Sequence, residues 1–404
     1  MRHALAFLAL LALPSLADDK PVYRLDYHVT LNPDEDRAEV VIESENNGML
    51  KRLNFDIGSG RYSNIEANGE LEVKDDRAIW HPPEKDARLT LHAKITHQRR
   101  SDGYDARMTG DWAIFRGDDV VPAARVRTRP GARAEAYLTF TLPEHWSSVS
   151  TGWKKLKDRH FRIDNPERRF DRPTGWMIAG KLGTRREKLG DTRLAVSAPR
   201  GSDLRRMDIV TLATIVWPEM EKAFGATPPK IAIIGHGDPM WRGGLSGPNA
   251  MYLHADRPMV SENGTSTLIH ELVHVVTRIS GKGNHDWIDE GLAEFYAVEL
   301  MFRAGAMTES RRERVMEGLA DWGDEVDTLI KRRSNGATTA RAVVLFDQLD
   351  REIREATKGE CSLDDLTREL IERRDVDLED LREVAESILG RPAKALESEL
   401  LREG

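Results

Sequence analysis

Two histidines placed four residues apart, His270 and His274, enclose a glutamate, Glu271, in a segment whose apolar residues repeat with a helical period. On a helix, residues four apart share one face, so both imidazoles can bind the same metal ion. Glu271 stands beside them, where a carboxylate can accept a proton from a metal-bound water. The pattern is short enough to arise by chance, and it leaves open the alternative of two hydrogen-bonded core histidines.

A second acidic segment can complete such a site. Glu290 lies 16 residues beyond His274, and Glu294 follows one helical turn later. A catalytic zinc takes three protein ligands and keeps a fourth position for water, so Glu290 is expected to be the third ligand. Glu294 is expected to accept the outer N–H of a ligating histidine and so fix its tautomer. Asp286 is a candidate cap for this helix, and a solvated helix face is the alternative for Glu290.

These residues resemble a family of zinc peptidases. The segment His270–His274, followed by Asp289–Ala293, is similar to the gluzincins, the thermolysin and aminopeptidase N superfamily. Trp241–Leu245 resembles the Gly-Gly-Leu segment of the glycyl aminopeptidase family, which is the most similar branch. Arg341–Asp350 and Ser362–Leu370 resemble later helices of that branch. The resemblance implies zinc as the cofactor and a peptide or protein as the substrate.

The resemblance has limits along the chain. It covers about 200–395, is faint over 20–195, and does not extend to that family's PDZ domain. Ser246 stands where the family has a glutamate that binds the amino terminus of the substrate. The sequence therefore does not decide between an exopeptidase and an endopeptidase. Thr338 and Thr339 stand where the family has a tyrosine that donates to the oxyanion, and the loss of one such donor costs on the order of a hundredfold or more in rate.

Other residues are candidates for these contacts. Tyr252, His285 and Arg341 are candidate substitutes for the oxyanion donor. Residues 243–253 are expected to form an edge strand along which an extended peptide pairs, so Gly244 is a candidate substrate contact.

Alternating apolar and polar residues dominate the chain from about 20 to 195 and predict a β-sandwich-like domain. From about 200 the period becomes helical. The fold class is therefore expected to be α+β, with a β-rich domain over 18–198 and a mainly helical, thermolysin-like domain over 199–404. The helices are expected at roughly 203–224, 263–280, 287–304, 308–331, 338–357, 362–373 and 378–389.

The amino terminus predicts export. Residues 1–17 combine a basic start, an apolar stretch of about ten residues and a small-residue exit, as in a secretory signal peptide, which places the protein in the periplasm or the medium. No later stretch has the roughly 18 apolar residues that a membrane helix needs. Basic clusters lie among acidic residues and the net charge is −8, so no nucleic acid partner is expected. Cys361 is the single cysteine, which excludes an internal disulfide.

The expected function is zinc-dependent hydrolysis of peptide bonds by a metal-activated water, with Glu271 as the general base. One alternative is a catalytically weak or inactive metal-binding module that holds peptides or a partner protein. Another is a β-domain adhesin whose helical half is only structural and binds no metal. The sequence indicates no oligomeric state.

Overall fold

A computed structural model describes residues 21–100, 103–164 and 170–402, so the predicted signal peptide over 1–17 lies outside the described residues. In this part of the chain, 23 strands and eight α-helices form an α+β protein. The strands of the first half are β1 (Val22–Asn32), β2 (Arg37–Glu45), β3 (Leu50–Asp56), β4 (Tyr62–Ala67), β5 (Glu70–Lys74), β6 (Arg77–His81), β7 (Ala87–Lys94), β8 (His97–Gln98), β9 (Tyr104–Met108), β10 (Trp112–Arg116), β11 (Ala124–Thr128), β12 (Arg133–Thr141), β13 (Ser148–Thr151), β14 (Lys154–Lys157), β15 (His160–Ile163) and β16 (Trp176–Gly180), with a single-turn helix α1 (Gly117–Val120). The second half comprises β17 (Leu182–Leu189), β18 (Thr192–Pro199), α2 (Arg206–Phe224), β19 (Lys230–His236), β20 (Gly244–Gly247), β21 (Ala250–His254), α3 (Thr267–Thr277), β22 (Ser280–Gly281), α4 (Asp286–Arg303), α5 (Glu309–Gly323), α6 (Gly336–Ala356), α7 (Leu363–Arg373), β23 (Asp375–Val376) and α8 (Leu378–Leu389).

Three sheets enclose one core in the first half, whereas the predicted β-sandwich would have two sheets. A seven-stranded sheet has the order β14-β15-β12-β1-β2-β7-β4, a four-stranded sheet β11-β3-β6-β5, and a five-stranded sheet β13-β16-β10-β9-β8. Tyr27, Trp80 and Phe115, one from each sheet, are at most 1% exposed and belong to the same apolar cluster. In β1 every second residue is buried, which is the period-two pattern of a strand with one face in a core.

The second half is organised around a mixed sheet of order β17-β18-β19-β21-β20. Strands β18, β19 and β21 run parallel, and β17 and β20 are antiparallel edge strands. This sheet crosses the boundary expected at residue 198, because β17 pairs with β18 and β18 with β19, and neither belongs to the sheets of the first half. On this pairing we propose that the second domain begins near Lys181.

Helix α3 packs against this sheet, and α4 packs against α3 and α6. One apolar cluster joins Leu253 of the sheet to Leu272 of α3, Ile288 of α4 and Phe346 of α6, all of them at most 1% exposed. The helices are thereby fixed to a buried framework, which is the requirement for a precisely placed site. Among the described residues, no helix combines the length and the apolar character needed to cross a lipid bilayer.

A third, smaller apolar cluster lies between the two halves. Ile114 and Trp176 of the first half pack with Ile234 and Tyr252 of the second, and each is at most 1% exposed. Backbone hydrogen bonds add to this junction, because Tyr104 N–H donates to Pro239 O over 3.0 Å and Trp241 N–H donates to Tyr104 O over 2.9 Å. The first half therefore holds the segment that leads into the edge strand β20.

Lys230 makes this junction sensitive to pH. Its Nζ donates to Trp153 O over 2.7 Å, and burial, with nearby Lys155 and Arg186, lowers its pKa from 10.5 to about 8. Between these values the unfolded chain holds a proton that the folded chain has released, so this group's contribution to stability rises with pH. We expect the difference in unfolding free energy between wild type and Lys230→Met to shift in favour of wild type by up to about 3 kcal/mol from pH 8 to 10.5. Denaturant titrations across this range test it, and a pH-independent difference would contradict it.

Candidate metal centre

The helix α3 carries both histidines of the predicted site. It begins at Thr267 because Ser266 caps it: the buried Ser266 Oγ accepts from Ile269 N–H at 3.4 Å and donates to Met259 O at 2.6 Å. It ends after Thr277, where Arg278 adopts a left-handed conformation and its N–H donates to His274 O. Eight of its eleven residues are buried, and His270 and His274 lie on the less buried face.

The helix α4 returns against α3 and carries the two acids. The connection is tight, because a Cβ at Gly281 would lie 2.1 Å from His285 O. The sequence predicts Asp286 as the cap of this helix, but His285 occupies the cap position and makes no side-chain cap. Asp286 is instead the first helical residue, and its carboxylate accepts from Ser334 N–H at 2.6 Å. Gly291 allows close packing on α6, since a Cβ there would lie 2.6 Å from Ala342 Cβ. These contacts seat Glu290 opposite the imidazoles.

Two imidazole nitrogens and the two oxygens of one carboxylate converge at one point between α3 and α4. His270 Nε2 lies 3.2 Å from His274 Nε2. The two Glu290 oxygens lie 3.4 Å from His270 Nε2 and 3.6 Å from His274 Nε2. Behind the first imidazole, His270 Nδ1 donates to Glu294 Oε2 over 2.7 Å. The structure thus brings together His270, His274, Glu290 and Glu294, and the protonated Nδ1 directs the lone pair of His270 Nε2 toward the other two groups.

The spacing of these atoms fits a zinc ion. Zinc binds imidazole nitrogen and carboxylate oxygen at about 2.0–2.2 Å in a tetrahedral arrangement, so neighbouring ligand atoms should be separated by about 3.3–3.5 Å. The three observed separations of 3.2, 3.4 and 3.6 Å bracket this value. Two imidazole nitrogens and a carboxylate that face one another can hold one cation between them, and neither a lysine nor an arginine is among these three groups. The residues therefore fit the cofactor that the resemblance implies.

The electrostatics of the group favour a bound cation as well. Burial lowers the pKa of His274 to about 4, helped by the charge of His270, so His274 is neutral and able to act as a ligand near pH 7. Burial acts in the same direction on His270, but the carboxylates of Glu290 and Glu294 outweigh it and raise the pKa of that imidazole. Burial opposes ionisation of Glu290, yet the two imidazoles hold its pKa below the ordinary value. The carboxylates that retain a proton on His270 would equally retain a metal ion.

Glu271 lies between α3 and the edge strand β20. Its side chain is 8% exposed, and burial raises the pKa of its carboxyl, while His270 and hydrogen bonding from Ser246 oppose the rise. Gly244 touches it closely, since a Cβ there would lie 3.0 Å from Glu271 Cγ and 2.6 Å from Thr267 Cγ2. The strand that carries Gly244 and Ser246 is the outer strand of the sheet. An extended peptide paired with its free edge would pass beside Glu271.

A methyl group at Gly244 should disturb this arrangement. We expect Gly244→Ala to push β20 away from α3, with a loss of about 1–3 kcal/mol in unfolding free energy and at least tenfold in peptide hydrolysis. Gly247→Ala on the same strand is the matched control, because its Cβ would meet nothing nearer than 3.3 Å. Thermal unfolding and steady-state rates on both variants test this, and equal effects would show that Gly244 has no special role.

A cavity of about 880 Å³ opens onto the candidate metal ligands His270 and Glu290. Of the two threonines that stand where the resembling family has its tyrosine, Thr339 lines this cavity, whereas Thr338 is fully buried and its N–H donates to Asn335 Oδ1. Sequence reasoning missed the wall residues contributed by the end of α5 and the start of α6. No motif marks them, and they are Leu319, Trp322, Ser334, Asn335, Gly336 and Ala340.

The candidate oxyanion donors are not brought to the site. Tyr252 points to the sheet face opposite α3, into the cluster between the halves, because the neighbouring Met251 and Leu253 occupy the α3 side. Its hydroxyl donates to backbone carbonyls at 3.2 and 3.3 Å. His285 Nδ1 pairs with Lys282 O, and Arg341 lies near Asp324; neither lines the cavity. The orientation of these three side chains is set by the packing of their elements, which keeps them out of the cavity lining.

Asp238, His254 and Asp256 form a second group of close ligand atoms. In this group Asp256 N–H donates to His254 Nδ1 over 3.2 Å, which places the imidazole proton on Nε2, 3.5 Å from Asp238 Oδ1. A protonated nitrogen offers no lone pair to a metal. Arg242 also pairs with Asp238 and lies 3.7 Å from Asp256, so the acids already have a cation. This group is explained as an ion cluster.

Comparison with known proteins identifies the fold. No family model and no curated protein matches the chain. Among solved structures, it is similar to an aminopeptidase N family protein from Idiomarina loihiensis, with a TM-score of 0.63 and 15% sequence identity. The alignment covers 86% of this chain and 70% of that protein. The chain therefore has an α+β fold like that of an aminopeptidase N family protein.

Proposed function

We propose that the chain is a zinc-dependent peptidase in which His270, His274 and Glu290 hold the metal and Glu271 is the general base. The observation that carries the proposal is the convergence of two imidazole nitrogens and the Glu290 carboxylate at separations of 3.2 to 3.6 Å, with Glu294 bound to the outer nitrogen of one imidazole. The fold shared with an aminopeptidase N family protein supports the same class of reaction. We also propose, from residues 1–17, that the protein acts in the periplasm or the medium.

The chain's own residues divide the work of hydrolysis. When bound, zinc supplies Lewis-acid chemistry, which lowers the pKa of water and polarises a carbonyl. Glu271, buried beside the ligands, is placed to take the proton of the attacking water and to pass it to the leaving amine. The free edge of β20 orients an extended peptide across the cavity, and the buried surroundings of Glu271 exclude bulk water from the proton.

A second candidate function is a metal-binding module that holds peptides with little or no turnover. The observation in its favour is that none of the seven tyrosines lines the cavity, so the oxyanion lacks the donor of the resembling family. Thr339 offers a hydroxyl at this position. Its side chain is shorter than that of tyrosine, so a reduced rate is the expected consequence.

The two functions are separated by a peptide-library assay with and without a chelator. If the protein is a zinc peptidase, cleavage disappears after chelation and returns when zinc is added back. If it is a binding module, the zinc-loaded protein retains peptides without cleaving them. Cleavage that survives complete removal of metal would contradict both proposals, because each depends on the ion.

A further inference from the structure

The wall of the metal cavity contains an exposed tryptophan. Trp322, in the last turn of α5, is 55% exposed and lines the same cavity as His270 and Glu290. It is the most exposed large apolar side chain that the structure describes, and none of the other six with high exposure lines this cavity. When a ligand covers a large apolar surface in a cavity, the removal of that surface from water favours binding.

The indole of Trp322 is held in place by α6. A Cβ at Gly336, the first residue of α6, would lie 2.2 Å from Trp322 Cη2 and 2.4 Å from Cζ2. The ring edge therefore rests on the backbone of this helix, and only glycine leaves room for it. An aromatic surface that is already ordered loses little conformational entropy when a ligand packs on it, which makes it an effective contact.

Further apolar groups of the cavity extend this surface. Leu319, one turn before Trp322, and Ala340 of α6 line the same cavity, as does Trp241 of the segment before β20. The carboxylates of Glu290 and Glu294 are engaged with the histidines, so they are not free to attract a basic side chain to this wall. Arg257 and Glu262, in the segment before α3, also line the cavity and contribute one charge of each sign. The chemistry that matches the wall is that of a large apolar group.

We propose that Trp322 forms the wall of a side-chain subsite that takes a large apolar or aromatic residue of the peptide substrate. The inference rests on the proposed peptidase function, because it assigns a specificity to the same cavity. It makes Trp322 a residue of specificity with no part in proton transfer or metal binding.

The test compares peptides that differ at one position between phenylalanine, leucine, glycine, aspartate and lysine. The zinc-loaded protein is expected to cleave the phenylalanine and leucine peptides with kcat/KM at least tenfold above the glycine peptide. Trp322→Ala should remove this preference by lowering kcat/KM for the phenylalanine and leucine peptides to about the value for the glycine peptide. Gly336→Ala, which displaces the indole without removing it, should act in the same direction. Val260→Ala, at an exposed apolar residue outside the cavity lining, is the control.

Binding measurements can test the subsite even if the protein proves not to be a peptidase. If no peptide is cleaved, the peptidase proposal fails, and calorimetry on the zinc-loaded protein still compares phenylalanine with glycine peptides. Tighter binding of the phenylalanine peptide that is lost in Trp322→Ala supports the subsite. Equal binding or cleavage of all peptides overturns it, as does an equal loss for all peptides in Trp322→Ala. A preference for lysine that disappears in Trp322→Ala also overturns it, in favour of a site for cations.

Discussion

Glu271→Gln is expected to lower kcat for peptide hydrolysis by about 10²- to 10⁴-fold while the bound zinc remains. Glutamine keeps the shape of the side chain but cannot accept the proton of the attacking water. Glu271 is placed for this role by its burial between α3 and β20 and by the contact with Gly244. It is not one of the three converging ligands, so the metal affinity should change little.

The measurement is kcat together with the zinc content of the purified variant. Ser261→Ala is a suitable control, because Ser261 also lines the cavity but is not one of the converging ligand residues. A Glu271→Gln protein that retains full rate with zinc bound would remove Glu271 from the mechanism. A variant that loses both rate and zinc would instead show that Glu271 supports the metal site.

Glu290→Gln is expected to weaken zinc binding by more than about 100-fold, whereas Glu294→Gln should weaken it by about tenfold. The two acids lie one turn apart on α4, which makes them a matched pair. Glu290 supplies a charged ligand atom, and its replacement leaves two imidazoles for the ion. Glu294 acts through the outer nitrogen of His270, and the loss of such a partner typically costs 10- to 100-fold in metal affinity or activity. The amide oxygen of glutamine still accepts this N–H, so the smaller value is expected.

Zinc affinities from competition with a chromophoric chelator test this order. Similar affinities for the two variants would show that Glu290 is not a ligand. A larger loss in Glu294→Gln would indicate that the ion lies on the opposite side of His270. Circular dichroism of each metal-free variant controls for a general loss of structure.

The sequence predicts those helices whose ends are fixed by local contacts. The last two were expected at 362–373 and 378–389, and they span Leu363–Arg373 and Leu378–Leu389. Both begin with a capping box, in which Ser362 and Asp377 exchange hydrogen bonds with residues three positions on. Because this signal lies within four residues, it is readable without knowledge of the fold.

Elements whose ends depend on distant residues were predicted less well. Helix α3 is expected over 263–280 but spans Thr267–Thr277, because the cap residue Ser266 is bound to Met259 O in the preceding loop. The helix expected over 308–331 ends at Gly323, where a Cβ would lie 2.7 Å from the backbone of Arg341. The start of the first helix and the end of the second both lie at tertiary contacts, which the apolar periodicity of the sequence does not indicate.

The candidate site also combines residues that local spacing predicts with residues that only the tertiary packing positions. The positions of His270, His274, Glu290 and Glu294 relative to one another follow from helical spacing and one return of the chain, and spacing can be read from the sequence. Tyr252 could not be oriented, since its strand is covered on both faces and periodicity does not say which side chains face α3. Trp322 carries no motif at all and reaches the cavity only through the packing of α5 on α6.

The most direct test of the proposed metal site is the anomalous scattering of a zinc-loaded crystal at the zinc absorption edge. We expect one strong peak about 2 Å from His270 Nε2, His274 Nε2 and a Glu290 oxygen. Absence of a peak at this point would contradict it. A peak found only among Asp238, His254 and Asp256 would contradict it equally, because the ion would then lie away from Glu271.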